Sequence, residues 1–392
     1  MNIVLSFITV LLLLGIGVLL SESRKDIKWR TVITGILVQV VVIGFVIKTT
    51  IGQTILDYMA RAVTKILSFG NDGLAFVFGG FSTDFYSFFI NVLCLIAFVS
   101  ALISVLYYLK VIPFLVKHIG GFIAKMMGTT PAETFSAVGN CFLSGTESPL
   151  LIQPYLDRLT RSELFSVCLG GYASASASVI AGYCLLGIPM KYLLVAMVTV
   201  PFSTLVMAKI LIPETQESKL KEITIEKSEC NNIFEAIGNG GIQGFNVALS
   251  VSGVLIAFLG IVAILDYGLG FVGTDTSNLL GIIFRPLAWL LNIPTEEVAI
   301  FSNMIGIKTA TNEYVAFTQL SPMIQGLSTR TLAILGVILC NFANFSVIGI
   351  QTGAFKSFCP KRANEVAGFG IKALIGGILT TLITGAIVGM FF

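Results

Sequence analysis

Charge is the scarcest ingredient of this 392-residue chain: Lys, Arg, Asp and Glu make up 11% of it, while 55% is hydrophobic. Soluble domains carry about a quarter of their residues as charged ones. So little polar surface cannot clothe a water-facing globule, and the bilayer is the natural solvent. Histidine occurs once, as His118, which excludes a multi-histidine metal centre and most histidine acid–base schemes. The seven cysteines are scattered with no CxxC pair, so they read as small apolar packing residues. A net charge of +3 with no long basic tract gives nucleic acid nothing to bind.

What is present is a series of apolar runs long enough to span a membrane. They cover 3–20, 32–49, 86–109, 164–186, 190–212, 244–265, 329–350 and 370–391. The first run precedes its positive charges, Arg24, Lys25, Lys28 and Arg30, the reverse of a cleaved signal peptide. It therefore reads as a spanning helix. Residues 62–83, rich in Gly and Phe, and 111–128, punctuated by Lys117, His118 and Lys125, read as interfacial helices.

Two other stretches, about 130–160 and 282–322, are apolar but broken by Gly, Pro, Thr, Asn and Glu. Each has room for two short helices that enter and turn back. Non-helical backbone at membrane depth survives only inside protein or beside water. Each stretch is followed by two spans, and one span, 244–265, separates the copies. The second copy therefore starts from the opposite side. Paired interrupted segments of this kind point to the binding site of an inverted-repeat transporter.

The expected fold class is an all-α integral membrane protein of about eight transmembrane helices, two re-entrant hairpins in inverted repeats, and interfacial helices. Its expected units are N-terminal scaffold helices over 1–128, a first transport repeat over 129–213, a loop and scaffold span over 214–267, and a second repeat over 268–392. With both termini outside, Arg24 to Arg30, the 110–125 cluster, the loop 214–229 and Lys356, Lys361 and Arg362 fall on the cytoplasmic side. Lys191, Arg285 and Arg330 fall outside.

Four constellations carry the chemistry. Gly139–Leu150 (GNCFLSGTESPL) sets Glu147 beside the helix breakers Gly145 and Pro149; a charge at bilayer depth costs about 2.5–3.5 kcal/mol or more. It reads either as a polar-solute grip or as a surface turn. Gly306–Val315 (GIKTATNEYV) sets a Thr311-Asn312-Glu313 cluster in a membrane-depth run, with Lys308 five residues before Glu313. Gly171–Ser178 (GYASASAS) serves close helix packing or, with Asn140, a sodium site. Asn341–Ser346 (NFANFS) joins amides and rings suited to a flat, polyhydroxylated ligand.

These segments resemble the concentrative nucleoside transporter family. The likeness is carried by GNCFLSGTESPLLIQPYL from Gly139, GGYASASASVIAGY from Gly170, GIKTATNEYVAF from Gly306, NFANFSVIGI from Asn341 and FVFG at Phe76. The resemblance implies a homotrimer in the cell membrane, with nucleoside bound between hairpin tips and two partly unwound spans. It implies substrate contacts from Gly145, Thr146, Glu147, Val179, Glu313, Phe342 and Asn344. Sodium would be held by Asn140, Ser174 and the carbonyls of Leu143 and Ser178.

Three departures qualify the match. The family's Gly-Gln before Thr-Glu is Ser144-Gly145 here, Val347 replaces a serine, and Ala175 carries no hydroxyl. The missing glutamine leaves room for a larger base, so the expectation is purine-leaning nucleoside import driven by sodium or, alternatively, protons, with no organic cofactor. A broad or pyrimidine-preferring symporter of the same family stays open. So, in other classes, do an intramembrane enzyme, for which no HExxH or paired DxxxD motif occurs, and a passive channel.

Overall fold

The computed structural model describes residues 2–80, 87, 89–175, 177–218, 220, 225, 228 and 230–392. The described residues are helical, with no strand among them. Helix α1 (Asn2–Leu19) and α2 (Trp29–Lys48) lead into α3 (Thr50–Phe78), α4 (Leu95–Tyr108) and α5 (Val111–Met127). The first hairpin pairs α6 (Pro131–Gly139) with a 3₁₀ stretch, Ser148–Arg158. After it come α7 (Arg161–Ala173), α8 (Ala177–Leu185) and α9 (Met190–Leu211), then α10 (Ile233–Gly270). The same order recurs in α11 (Thr276–Leu290), the hairpin α12 (Val298–Ala310) and α13 (Glu313–Leu320), α14 (Thr329–Ile338), α15 (Ser346–Phe358) and α16 (Ala363–Gly389).

The structure moves several expected boundaries. The stretch 282–322 is not one broken hairpin, because Thr276–Leu290 is a continuous helix despite Pro286, and the hairpin begins only after Pro294. The expected interfacial segment 62–83 is the second half of the 29-residue α3, with 81–83 outside the described residues. The start of the span 86–109 and much of the loop 214–229 also lie outside them. The runs 164–186 and 329–350, read as single spans, are each two helices joined by an unwound middle.

Local chemistry accounts for these ends. Thr160 and Glu163 form a reciprocal capping box on α7, the Thr160 N–H donating to Glu163 Oε2 at 2.8 Å and the Glu163 N–H to Thr160 Oγ1 at 3.1 Å. Asn312 caps α13 through Val315 N–H at 3.0 Å, and Ser328 caps α14. Helices α9 and α16 are almost wholly buried and form the centre of the bundle. Helices α2 and α4 are only partly buried, as outer members are. Gly240 and Gly244 of α10 lie against the backbone of α4 at Ala97 and Ala101, where any Cβ would come within about 2.7 Å of it. Packing of small residues substitutes here for the hydrophobic drive that lipid does not supply.

The helix ends sort into two layers. At one, Arg330 donates to Leu291 O (2.7 Å) and Gly389 O (2.8 Å), tying the ends of α11 and α16 beside the start of α14. At the other, Glu22 accepts from Arg161 (2.9 Å) and Lys372 (2.8 Å), and Lys361 pairs with Asp157 at 3.0 Å. The first hairpin is rooted in this second layer, where the buried Lys209 meets Glu133 at 2.6 Å and donates to Ser162. The second hairpin is rooted in the first layer, where Glu297 accepts from the Ser328 N–H (2.7 Å) and Oγ (2.8 Å). The two hairpins thus enter from opposite ends.

The Lys209–Glu133 pair is buried, so removing one charge strands the other. Lys209→Met is expected to destabilise the protein by about 3–5 kcal/mol, with partial recovery in the Lys209→Met/Glu133→Gln double variant, read by thermal unfolding in detergent. The hydrogen bond from Arg161, reinforced by Lys372, holds the Glu22 carboxyl below its ordinary value of 4.5. A depressed carboxyl contributes stability above its unfolded value and loses it as the pH falls through the folded one. The stability difference between wild type and Glu22→Gln, under about 1 kcal/mol for so exposed a pair, should therefore be present at pH 7 and vanish on acidification below 4.5.

Candidate functional site

The site grows from two helix breaks that meet. Helix α7 ends at Ala173, and Ser174 turns extended (φ −76°, ψ 157°). Helix α14 ends at Ile338, and the chain is irregular until Ser346. An unwound segment frees backbone groups that must find partners inside the protein. They find each other: the Phe342 N–H donates to Ser174 O at 3.2 Å, and the Phe345 N–H to Thr309 O of the second hairpin at 3.3 Å.

Lys308 closes the second break. Wholly inside the protein, its ammonium donates to Ile338 O at 2.8 Å and to Asn341 Oδ1, while Asn341 Nδ2 donates to Gly377 O at 2.9 Å. Beside it, Glu313 at the start of α13 is 5% exposed and accepts from Asn344 Nδ2 at 3.3 Å. Asn344 Oδ1 accepts in turn from Ser346 Oγ and the Val347 N–H. Tyr183 of α8 packs edge-on against Tyr314 with ring centroids 4.8 Å apart, so the first repeat walls the second hairpin.

The first hairpin is built differently. Its tip, residues 140–147, is irregular, and Gly145 rests on the backbone of Gly171, where a Cβ would overlap Gly171 Cα. Glu147 accepts from the Ser144 N–H at 2.9 Å within the tip and, through its other oxygen, from Gln243 Nε2 of α10 at 2.8 Å. Asn140 and Ser174 are each 0% exposed, and the Asn140 amide atoms and Ser174 Oγ have no protein partner among the described residues. Unpaired buried oxygens of this kind suit a hard cation, which the ends of broken helices commonly coordinate. No cluster of three His, Cys, Asp or Glu that would hold a transition metal occurs among the described residues.

A cavity of about 970 Å³ reaches Glu147 from the Asp157–Lys361 end, between the first hairpin and helices α4 and α10, with Ser104, Tyr107, Asn239 and Gln243 on its wall. Of the expected substrate residues, Glu313 and Asn344 are in direct contact, and Phe342 sits at the crossing. Gly145, Thr146 and Glu147 form the first tip. Val179 is buried on α8, and Leu143 lies within the tip. Ser176, part of the serine-rich motif, lies outside the described residues, and Ser178 falls within α8. Residue-by-residue reading missed Gln243, which shares α10 with Asn239 and Asn246, and Gln351, the one amide of α15.

Comparison with known proteins agrees with this architecture. The chain matches family models described as "Na+ dependent nucleoside transporter C-terminus" over 192–389, "Na+ dependent nucleoside transporter N-terminus" over 8–81 and "Nucleoside recognition" over 89–190. It is 37% identical to an uncharacterized transporter of Haemophilus influenzae, across 100% of this chain and 98% of that protein. It is 35% identical to the nucleoside permease NupC of Helicobacter pylori, across 95% and 93%. The structure of CNTnw in an inward-facing, substrate-bound state superposes with a TM-score of 0.95 at 36% identity, covering 100% of this chain and 98% of that one. The chain belongs to the sodium-dependent, or concentrative, nucleoside transporter family. It is a multi-pass membrane transporter and not an enzyme.

The contact of Gly145 with Gly171 is backbone on backbone, so neither side yields cheaply. Gly145→Ala is expected to cost about 1–3 kcal/mol, seen as a lowered unfolding temperature, whereas Gly121→Ala on exposed α5, with open space at its Cβ, should not be destabilising.

Proposed function

We propose that this protein is a cation–nucleoside symporter of the cytoplasmic membrane that imports nucleosides, with purines favoured. The observation that carries the reading is the pairing of two unlike half-sites at the crossed breaks. One offers the buried carboxylate–amide pair Glu313–Asn344, and the other the unpartnered oxygens of Asn140 and Ser174. A carboxylate accepts from adjacent hydroxyls, which suits ribose. Neutral oxygens on a helix break suit sodium, with the Leu143 and Ser178 carbonyls as further ligands. Gly145, Thr146, Glu147, Val179 and Phe342 would complete the nucleoside contacts.

Cation binding to the first hairpin and nucleoside binding across the tips would each raise the affinity of the other by the same factor. The membrane potential adds about 2.3 kcal/mol per charge per 100 mV to inward movement. The charged layer containing Glu22, Lys361 and Asp157 is proposed as cytoplasmic and both termini as external, so the cavity at Glu147 would open inward. The proposed division assigns the hairpins and the helices that follow them to mobile transport units and α1–α5 with α10 to a scaffold. The scaffold's exposed apolar residues on α3 and α10, such as Tyr58, Phe69, Ile256 and Ile264, support assembly as a homotrimer.

Uptake of labelled inosine and uridine by a nucleoside-uptake-deficient strain, with sodium and proton gradients imposed separately, tests the proposal. Wild type should accumulate nucleoside against its gradient when sodium is supplied. Glu147→Gln and Glu313→Gln should each reduce accumulation at least tenfold. Accumulation driven by protons alone would replace the ion assignment, dominance of uridine would reverse the purine preference, and undiminished accumulation in both variants would reject the site.

A further inference from the structure

Helix α15 buries a stripe made of Ser346, Val347, Gln351 and Phe355. Gln351 is the one amide in it. It is 2% exposed, and its Oε1 has no hydrogen-bond partner among the described residues. An acceptor left unpaired in the interior is destabilising, and Leu or Met would fill the same space without that cost. Nothing in the packing of α15 explains an amide here.

Its surroundings do. The amide nitrogen lies directly on Gly171, where a Cβ would collide with it, and Gly171 is the residue on which Gly145 of the first tip rests. One turn earlier on the same face is Val347, whose N–H donates to Asn344 Oδ1, and Asn344 donates to Glu313. The amide therefore lies between the carboxylate–amide pair proposed to take the sugar and the backbone of the first hairpin.

We propose that Gln351 is a specificity-determining residue whose amide reads the hydrogen-bonding edge of the nucleobase, Oε1 accepting a ring or exocyclic N–H. The assignment rests on the nucleoside reading above. An amide also carries a donor, so it matches the adjacent N–H and C=O of hypoxanthine, guanine or uracil as a two-point contact. A base with a bare edge offers it nothing.

The test compares two competitors of labelled inosine uptake in intact cells: unlabelled inosine, and benzimidazole riboside, which keeps the fused ring and ribose but has no polar group on its six-membered ring. Gln351→Met, near in length and apolar, should raise the inhibition constant of inosine about tenfold and leave that of benzimidazole riboside within twofold. Gln351→Ser, smaller and still polar, provides the same comparison should the Met variant fail to reach the membrane. An equal loss for both competitors would assign Gln351 to packing and overturn the proposal, as would an unchanged inosine constant. Wild-type cells that take up no nucleoside would overturn the transport reading itself, and this assignment with it.

Discussion

The structure depends on one constraint: two helices are broken inside an apolar bundle, and the peptide groups released at each break have no water to turn to. The solution is to cross the breaks. The Phe342 N–H reaches Ser174 O, and the Phe345 N–H reaches Thr309 O. The first bond joins the two repeats, and the second ties the break between α14 and α15 to the second hairpin. The same crossing sets Ser174 of the first break against Phe342, which is close in the chain to Asn344 of the Glu313–Asn344 pair.

The two repeats meet that constraint in different ways, and the asymmetry gives the site its character. In the second repeat an internal cation, the Lys308 ammonium, is bonded to Ile338 O and Asn341, so the break is closed by the protein's own charge. In the first repeat no lysine is present at the break. Asn140 and Ser174 keep polar atoms unbonded at zero exposure. One half is closed by its own charge, and the other keeps buried polar atoms without protein partners among the described residues. The Gln243–Glu147 hydrogen bond adds a contact between the long α10 and the incomplete half.

Legibility followed the physical strength of each signal. Glu147 and Glu313 stood out because a carboxylate in an apolar run is costly, and Pro149, Gly145 and Asn312 marked the turns beside them. The true extent of the second hairpin did not stand out. Gly281, Arg285 and Pro286 resemble breakers in the sequence, yet they sit in the continuous helix α11, with Arg285 and Pro286 on its exposed face and Gly281 buried against Asn303. The interruption of 164–186 was legible only through the family resemblance, because alternating Ala and Ser pack in helices as readily as they unwind. Gln351 and Gln243 were silent for another reason, as an amide inside a mostly apolar helix signals nothing until its neighbours are known.

The sequence by itself determined the solvent, the helices, the inverted order and the positions of two carboxylates, because these follow from hydropathy, spacing and the cost of buried charge. Its motifs also determined the family. Only the tertiary structure decided which polar atoms are satisfied. That Lys308 is saturated while Asn140, Ser174 and Gln351 are not depends on contacts between residues up to two hundred positions apart. Composition and periodicity report what each segment can bury, but whether a buried donor or acceptor finds its partner is settled only when the two broken helices cross.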